Sequence, residues 1–354
     1  MKLAAFNQRS SNLLQRVFNR KSFVQGAQTP FEIVFDDGLS RMRRYKGANK
    51  PTRSVPILLV MPLAVRPSIY DLLQGQSLIQ SLLNRGFDVY LTEWGEPDRR
   101  QTHMGFRDYN IKLSKMIKAL QRISGSEKYT LHGWSMGGLF CLFNACTAKD
   151  PNLKNIILVG TPVDAHRSGV MGRNMRLLGQ SFRKLEQRTG LHPLMLPDQI
   201  THSHGWTNAI AFKALDPLGT LKSYAKLFTN LGDRDALIDN ATKADFLLSM
   251  LDYPGRITKE VAENVWLYNK FFKTQMRLHG KLLDLKDIDC SLFVVAGSGD
   301  AIVTEDSARA IFDASNSTDT HFELARGGHV GILSSTWAAD NLWPKMLDWL
   351  EPRS

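Results

Sequence analysis

Between Tyr129 and Lys149 the chain changes its period within a few residues. Tyr129-Thr130-Leu131-His132 reads as an apolar strand, Gly133-Trp134-Ser135-Met136-Gly137 breaks it, and residues 137–149 read as a helix that stops before Pro151. A serine held on such a turn must adopt a strained backbone with its hydroxyl pointing outward. Glycines fit where strand and helix nearly touch, because a β-carbon there would collide. Ser135 is therefore a candidate nucleophile, and Met136 is placed to offer its backbone N–H to an oxyanion. A Gly/Ser turn can also be purely structural, so the assignment leans on residues far downstream.

The rest of the chain repeats one pattern around this turn. Residues 55–61 are a continuous apolar run, residues 87–93 and 156–160 also read as strands, and residues 76–85 and 109–123 carry helical periodicity. Strands that are apolar throughout and alternate with helices predict a buried, mostly parallel central sheet with helices on both faces. Ahead of it, residues 31–35 and 39–45 flank Asp36-Asp37-Gly38, the signal of an antiparallel hairpin at the sheet edge. The alternation lapses after Thr161-Pro162. From Asp164 to Asp289 the sequence is helix-like with no convincing strand, and strands resume at 291–296 and 320–324 before a closing helix at 337–350. This predicts a core of residues 31–163 and 290–354 and an inserted helical cap of residues 164–289, a device that excludes water from a site.

Two further residues fall on strand ends. Asp300 follows the strand at 291–296 after Gly297-Ser298-Gly299, and His329 sits in Arg326-Gly327-Gly328-His329-Val330-Gly331 after the strand at 320–324. Loops at the carboxyl ends of parallel strands are where sites in open α/β sheets collect. Ser135, Asp300 and His329 stand in the chain order of the α/β-hydrolase triad. Their chemistry fits the order: a serine hydroxyl needs a neutral imidazole to take its proton, and the imidazole needs a carboxylate to fix its tautomer and stabilise its cation. Alone, such an aspartate would read as a helix cap and such a histidine as a turn residue. Three together, each at a strand end, argue for a site.

The remaining candidates read more plainly. His103, His202 and His204 could line the cap, with nothing in their spacing to choose between substrate contact and surface. His132 reads as a satisfied core residue, and Cys141 and Cys146 as core packing on one helix. With Cys290 they form no metal-ligand or disulfide spacing, so no metal or cofactor is expected and the thiols fit a reducing, cytoplasmic setting. No apolar run approaches the ~20 residues of a membrane span.

The net charge of +11 gathers at the N-terminus, at 41–53 and at 167–188. It fits an anionic partner such as coenzyme A phosphates or a lipid surface, although solvated basic faces explain it as well. Nucleic acid is not expected, because no nucleic-acid-binding motif accompanies the charge. Within residues 1–30, Leu3, Phe6, Leu13, Leu14, Val17 and Phe18 alternate with Lys2, Arg9, Arg16, Arg20 and Lys21, which predicts a basic amphipathic helix. An organellar transit peptide, a helix on a granule or membrane surface, and a helix packed on the protein's own body all remain open for it.

Gly133-Trp134-Ser135-Met136-Gly137-Gly138, Val65-Arg66-Pro67-Ser68-Ile69-Tyr70-Asp71-Leu72, Asp88-Val89-Tyr90-Leu91-Thr92-Glu93-Trp94-Gly95-Glu96-Pro97-Asp98 and Gly327-Gly328-His329-Val330-Gly331 together resemble polyhydroxyalkanoate synthases, especially the short catalytic subunits of two-component enzymes. The resemblance covers roughly residues 30–350. It implies an α/β-hydrolase fold, a hydroxyacyl-coenzyme A or related acyl substrate, and a polymer granule as a surface. It leaves a partner subunit or a homo-oligomer open. It also points to the backbone N–H of Val65 as the second oxyanion donor. Three positions depart from the family's pattern: Ser135 stands where the family has cysteine, Val65 where it has asparagine, and Ala301 where a histidine often follows the aspartate. A synthase holds its chain as a thioester, whereas a serine ester is the usual intermediate of hydrolases. The expected function is therefore a serine esterase or thioesterase. Polymer-forming acyl transfer and a non-catalytic granule-associated relative are the alternatives.

Overall fold

The computed structural model describes residues 23–26, 28–73, 75–215 and 229–354. Its centre is an eight-stranded sheet in the order β1-β2-β6-β3-β7-β8-β11-β12. The strands β1 (Phe31–Asp36) and β2 (Arg41–Tyr45) form the expected edge hairpin, and β2 lies antiparallel to β6 (Val89–Glu93). From β6 onward the strands run parallel through β3 (Ile57–Val60), β7 (Tyr129–Trp134), β8 (Leu153–Val159), β11 (Ser291–Gly297) and β12 (Thr320–Ala325). All four side chains of β3 are fully buried, as two covered faces require. At about 1.5–3 kcal/mol for each fully buried aliphatic side chain, such strands dominate the stability of the core.

Helices pack against this sheet. Helix α1 (Leu78–Asn84) follows a small hairpin of β4 (Asp71–Leu73) and β5 (Gln76–Ser77) that the sequence pattern does not signal. Helix α2 (Phe106–Ser124) buries one stripe, whereas in α3 (Met136–Ala148) the residues 136–147 are all buried. The difference is positional: α3 lies against β3, β7 and β8 on one side and α2 on the other, so it has no wet face. The predicted closing helix at 337–350 is instead broken. Residues Ala338–Leu342 are wound as a π-helix ahead of the α-helix Trp343–Leu350. Pro344 at the start of the latter has no N–H to continue the ladder, which accounts for the change of winding.

Between β8 and β11 the described residues are mainly helical: Gly169–Thr189, Asp198–Thr201, Gly205–Leu215, Arg234–Leu248 and Gly255–Val261. Contrary to the strand-free reading of this stretch, β9 (Arg277–Leu278) and β10 (Lys281–Leu282) pair there, and Ser203 bridges Tyr253. Pieces this short leave no period of two in a sequence.

Residues 1–22, which hold all the positions that predict the amphipathic helix, lie outside those described. Phe23 is buried against Leu237 and Ala241, and Thr29 bonds both oxygens of buried Asp71. The basic run at 41–53 is largely absorbed by the fold itself: Arg41, Arg43, Arg44, Lys46 and Arg53 pair with Asp36, Glu93, Asp88, Glu32 and Glu351.

Candidate active site

Ser135 leaves the end of β7 with φ +54° and ψ −122°. Positive φ at a residue with a β-carbon costs roughly 1–2 kcal/mol, so neighbouring bonds must hold it. Two do: the Ser135 N–H donates to the Val159 carbonyl at the end of β8 (2.8 Å), and its carbonyl accepts from Gly138 N–H (3.0 Å). The helix then starts directly over β3. A β-carbon on Gly137 would lie 2.1 Å from the Val60 carbonyl oxygen, which is why no larger residue fits there.

His329 and Asp300 arrive from the ends of β12 and β11. His329 Nε2 is 2.9 Å from Ser135 Oγ, and its Nδ1 is 2.7 Å from Asp300 Oδ2. The other Asp300 oxygen accepts the N–H groups of Ile302 (2.8 Å) and Val303 (3.0 Å). With its side chain 0% exposed and that of His329 7%, this carboxylate faces the ring out of reach of bulk water. A carboxylate can only accept, so Nδ1 carries the hydrogen and Nε2 is left to accept from the serine hydroxyl. The structure thus brings Ser135, Asp300 and His329 together beyond the ends of β7, β11 and β12.

Sequence reasoning missed what holds the ring. The Trp134 indole N–H donates to the His329 carbonyl (3.1 Å), and the two ring centroids are 5.5 Å apart. Gly160, at φ +54° just beyond β8, lies beside the Cε1 and Nδ1 atoms of the imidazole. A glycine after a strand carries no signal of that contact.

Met136 and Val65 are both buried, Met136 at the first turn of α3 and Val65 in the loop after β3. That loop is tied down along its length. Trp94 Nε1–H donates to the Met61 carbonyl (2.7 Å), Leu251 N–H donates to the carbonyl of Ala64 (2.8 Å), and Ala64 itself turns the chain at φ +63°. The Tyr253 hydroxyl reaches both sides, 3.5 Å from the Leu63 carbonyl and 3.8 Å from Met136 Sδ.

Beside His329 opens a cleft of about 310 Å³. Ile69, Leu72, Phe212, Phe246 and Leu247 give it apolar walls, and Lys213 and Lys243 lie among its lining. Such a shape takes an apolar group and offers positive charge beside it.

The other singled-out residues lie elsewhere. His103 is exposed, while His202 and His204 share Asp252. His132 is in the core as expected but only half satisfied. Its Nδ1 faces Tyr70 Oη (3.4 Å), and among the described residues its Nε2 has no partner. Burial pushes its pKa down to about 4, so the ring is neutral near neutrality. Cys141 and Cys146 are free, buried thiols, and burial raises both; Cys146 reaches about 12.

Fold and site meet in one class. Residues 70–336 match the family model of the alpha/beta hydrolase fold, and the chain belongs to that family. Within it, the chain is similar to the poly(3-hydroxyalkanoate) polymerase subunit PhaC of Haloferax mediterranei, with 28% identity over 94% of this chain, and to that of Thiocystis violacea, with 26% over 96%. The chain spans 66% of the Haloferax protein's length and 93% of the Thiocystis one. Among solved structures, the monoglyceride lipase of Saccharomyces cerevisiae superposes with a TM-score of 0.53 at 16% identity, covering 93% of this chain and 98% of that one. The Paleococcus ferrophilus monoacylglycerol lipase gives 0.52 at 17%, covering 85% and 96%. At such identities these two likenesses speak for the fold alone.

Proposed function

We propose that this protein is a serine acyl-enzyme catalyst cleaving an ester or thioester of an acyl or hydroxyacyl group. The observation that carries the reading is the single imidazole of His329 held between Ser135 Oγ and the buried carboxylate of Asp300. In the first step Ser135 Oγ attacks the carbonyl carbon while its proton passes to His329 Nε2. Asp300 stabilises the resulting imidazolium. Collapse of the tetrahedral intermediate breaks the bond to the leaving alcohol or thiol, which takes the proton from His329. Water then attacks the acyl-serine, again giving its proton to His329, and the acid leaves as Ser135 recovers its hydrogen.

The oxyanion would be met by the backbone N–H groups of Met136 and Val65. Met136 opens α3, where the first N–H groups have no acceptor within the helix. Loss of one such donor costs about 3 kcal/mol in comparable sites. Residues 164–289 act as a cap in this reading, since Phe212, Phe246 and Leu247 come from that segment and face Ile69 and Leu72 across the cleft. The acyl group fills the apolar part, and residues 1–30 carry the cytoplasmic protein to a granule or anionic membrane surface.

A second reading, acyl transfer from hydroxyacyl-coenzyme A into polymer, is favoured by the polymerase names of relatives that align along almost the whole chain. Incubation of the full chain with 3-hydroxybutyryl-coenzyme A, followed by separation of free acid from insoluble polymer, decides between them. Free acid is expected, and polymer as the main product would overturn hydrolysis in favour of a serine-based synthase. A serine-directed fluorophosphonate should label the protein. Failure to label would instead indicate a non-catalytic granule-associated relative.

A further inference from the structure

Ser203 and Tyr253 form an isolated antiparallel bridge, each donating its N–H to the other's carbonyl at 3.0 and 2.8 Å. Side chains alternate across such a pair, and the residue opposite 204 is 252. His202, His204 and Asp252 therefore share one face, while Ser203 and Tyr253 take the other. On the first face His202 Nε2 lies 2.9 Å and His204 Nδ1 3.2 Å from the same oxygen, Asp252 Oδ2. One ligand atom from each of the three lies within 4.8 Å of the others. On the second face stands the Tyr253 hydroxyl, against Leu63 and Met136.

We propose that His202, His204 and Asp252 form a binding site for one divalent transition-metal ion of the zinc type. Two imidazoles and one carboxylate suit zinc and its neighbours rather than calcium or magnesium, which favour all-oxygen shells. The spacing suits it too. Around a tetrahedral ion with bonds of about 2.0–2.1 Å, ligand atoms stand about 3.3 Å apart, close to the 2.9 and 3.2 Å found.

The His202 side chain is 3% exposed, and its Nε2 is held facing Asp252. Asp252 Oδ1 accepts the Gly205 N–H (2.7 Å), which fixes the carboxylate with Oδ2 toward the two histidines. With His204 43% and Asp252 31% exposed, an ion has a way in and a water can complete its shell. Because the bridge carries Tyr253, a bound ion stiffens the strand pair that rests on the loop before Val65. Its role is structural, exerted through Tyr253 on Leu63 and Met136.

The test uses the full chain stripped with chelator and titrated with Zn²⁺, with Co²⁺ as the spectroscopic probe. One Zn²⁺ per chain, a raised Tm and the absorption of four-coordinate Co²⁺ are expected. Asp252→Asn and His202→Ala should weaken Zn²⁺ binding by at least about tenfold. His204→Ala, at an exposed position that spares the fold, should do the same. Ser135→Ala should bind Zn²⁺ like the wild type, so the site stands or falls separately from the acyl-enzyme reading. Absence of Zn²⁺ binding by the wild type, or equal affinity in the His204→Ala and Asp252→Asn variants, would overturn the proposal and leave a hydrogen-bonded latch.

Discussion

A β-carbon on Gly160 would lie 3.3 Å from both Cε1 and Nδ1 of His329, so the last residue beyond β8 is the seat on which the imidazole rests. It would also lie 3.0 Å from Ile332 Cδ1, and the backbone there is at φ +54°. Gly160→Ala should tilt the ring away from Ser135 and lower kcat/KM for a nitrophenyl ester by about tenfold or more, equivalent to at least about 1.4 kcal/mol of transition-state stabilisation. Circular dichroism should show the fold retained. A wild-type rate in this variant would mean that the ring keeps its place without that seat.

Ser135, His329 and Asp300 are predicted to fail unequally. Ser135→Ala and His329→Ala should each lower turnover by about four or more orders of magnitude, because nucleophile and base act as one unit. Asp300→Asn should keep more activity than either, since serine and imidazole remain but the ring loses its preferred tautomer. Steady-state kinetics on folded variants measures all three, and ordinary ester turnover by Ser135→Ala would defeat the acyl-enzyme reading outright.

Replacing Ser135 with cysteine changes one atom. The intermediate becomes a thioester, which water resolves more slowly, so hydrolysis should fall and the acyl-enzyme should accumulate. Intact-protein mass spectrometry during turnover reads this directly. If the cysteine variant showed no added acyl mass and hydrolysed as fast as the wild type, the oxygen nucleophile would not be what sets the product.

His132 makes the fold sensitive to acid. Buried, its pKa is about 4, against the ordinary 6.5 it regains on unfolding. Between those values the unfolded state binds a proton that the folded state does not. The contribution is therefore fully present above pH 6.5 and fades as the pH falls toward 4, a loss of about 3 kcal/mol in all. Urea midpoints across this range should decline in the wild type and decline less in His132→Gln; equal slopes would assign the acid sensitivity to other groups.

The thiols should report on packing rather than chemistry. Cys146→Ala removes an Sγ that donates to the Asp284 carbonyl (3.2 Å) and leaves a small void, costing about 1 kcal/mol or more with turnover unchanged. In the folded wild type, burial pushes Cys146 and Cys290 up to about 12, so both should react slowly with a thiol reagent at pH 8 and rapidly once unfolded. A fast native reaction at Cys146 would contradict its burial.

The parallel strands were legible because burial on both faces removes the polar alternation that would disguise them; β3 and β7 are apolar or buried along their whole lengths. Ser135 could be found because it directly follows such a strand, and Asp300 and His329 because each stands in the glycine-rich loop beyond a strand, β11 or β12. Contacts between distant backbone positions left no trace. Gly160 is one glycine among 26, and nothing local ties His202 and His204 to an aspartate about fifty residues onward. The broken closing helix was hidden for another reason: apolar periodicity runs straight through Pro344, and only the missing N–H changes the winding.

The placement of the three strand ends has a consequence for synthesis of the chain. His329 meets a serine 194 residues earlier, and β11 can add to the sheet only against β8, with β12 beyond it. A nascent chain that has reached the end of β8 has Val159 to hold the strained turn at Ser135 but has no base to activate it. Reactivity then switches on at the last stage of assembly, when β11 and β12 close the sheet, so partly made or truncated chains stay chemically quiet.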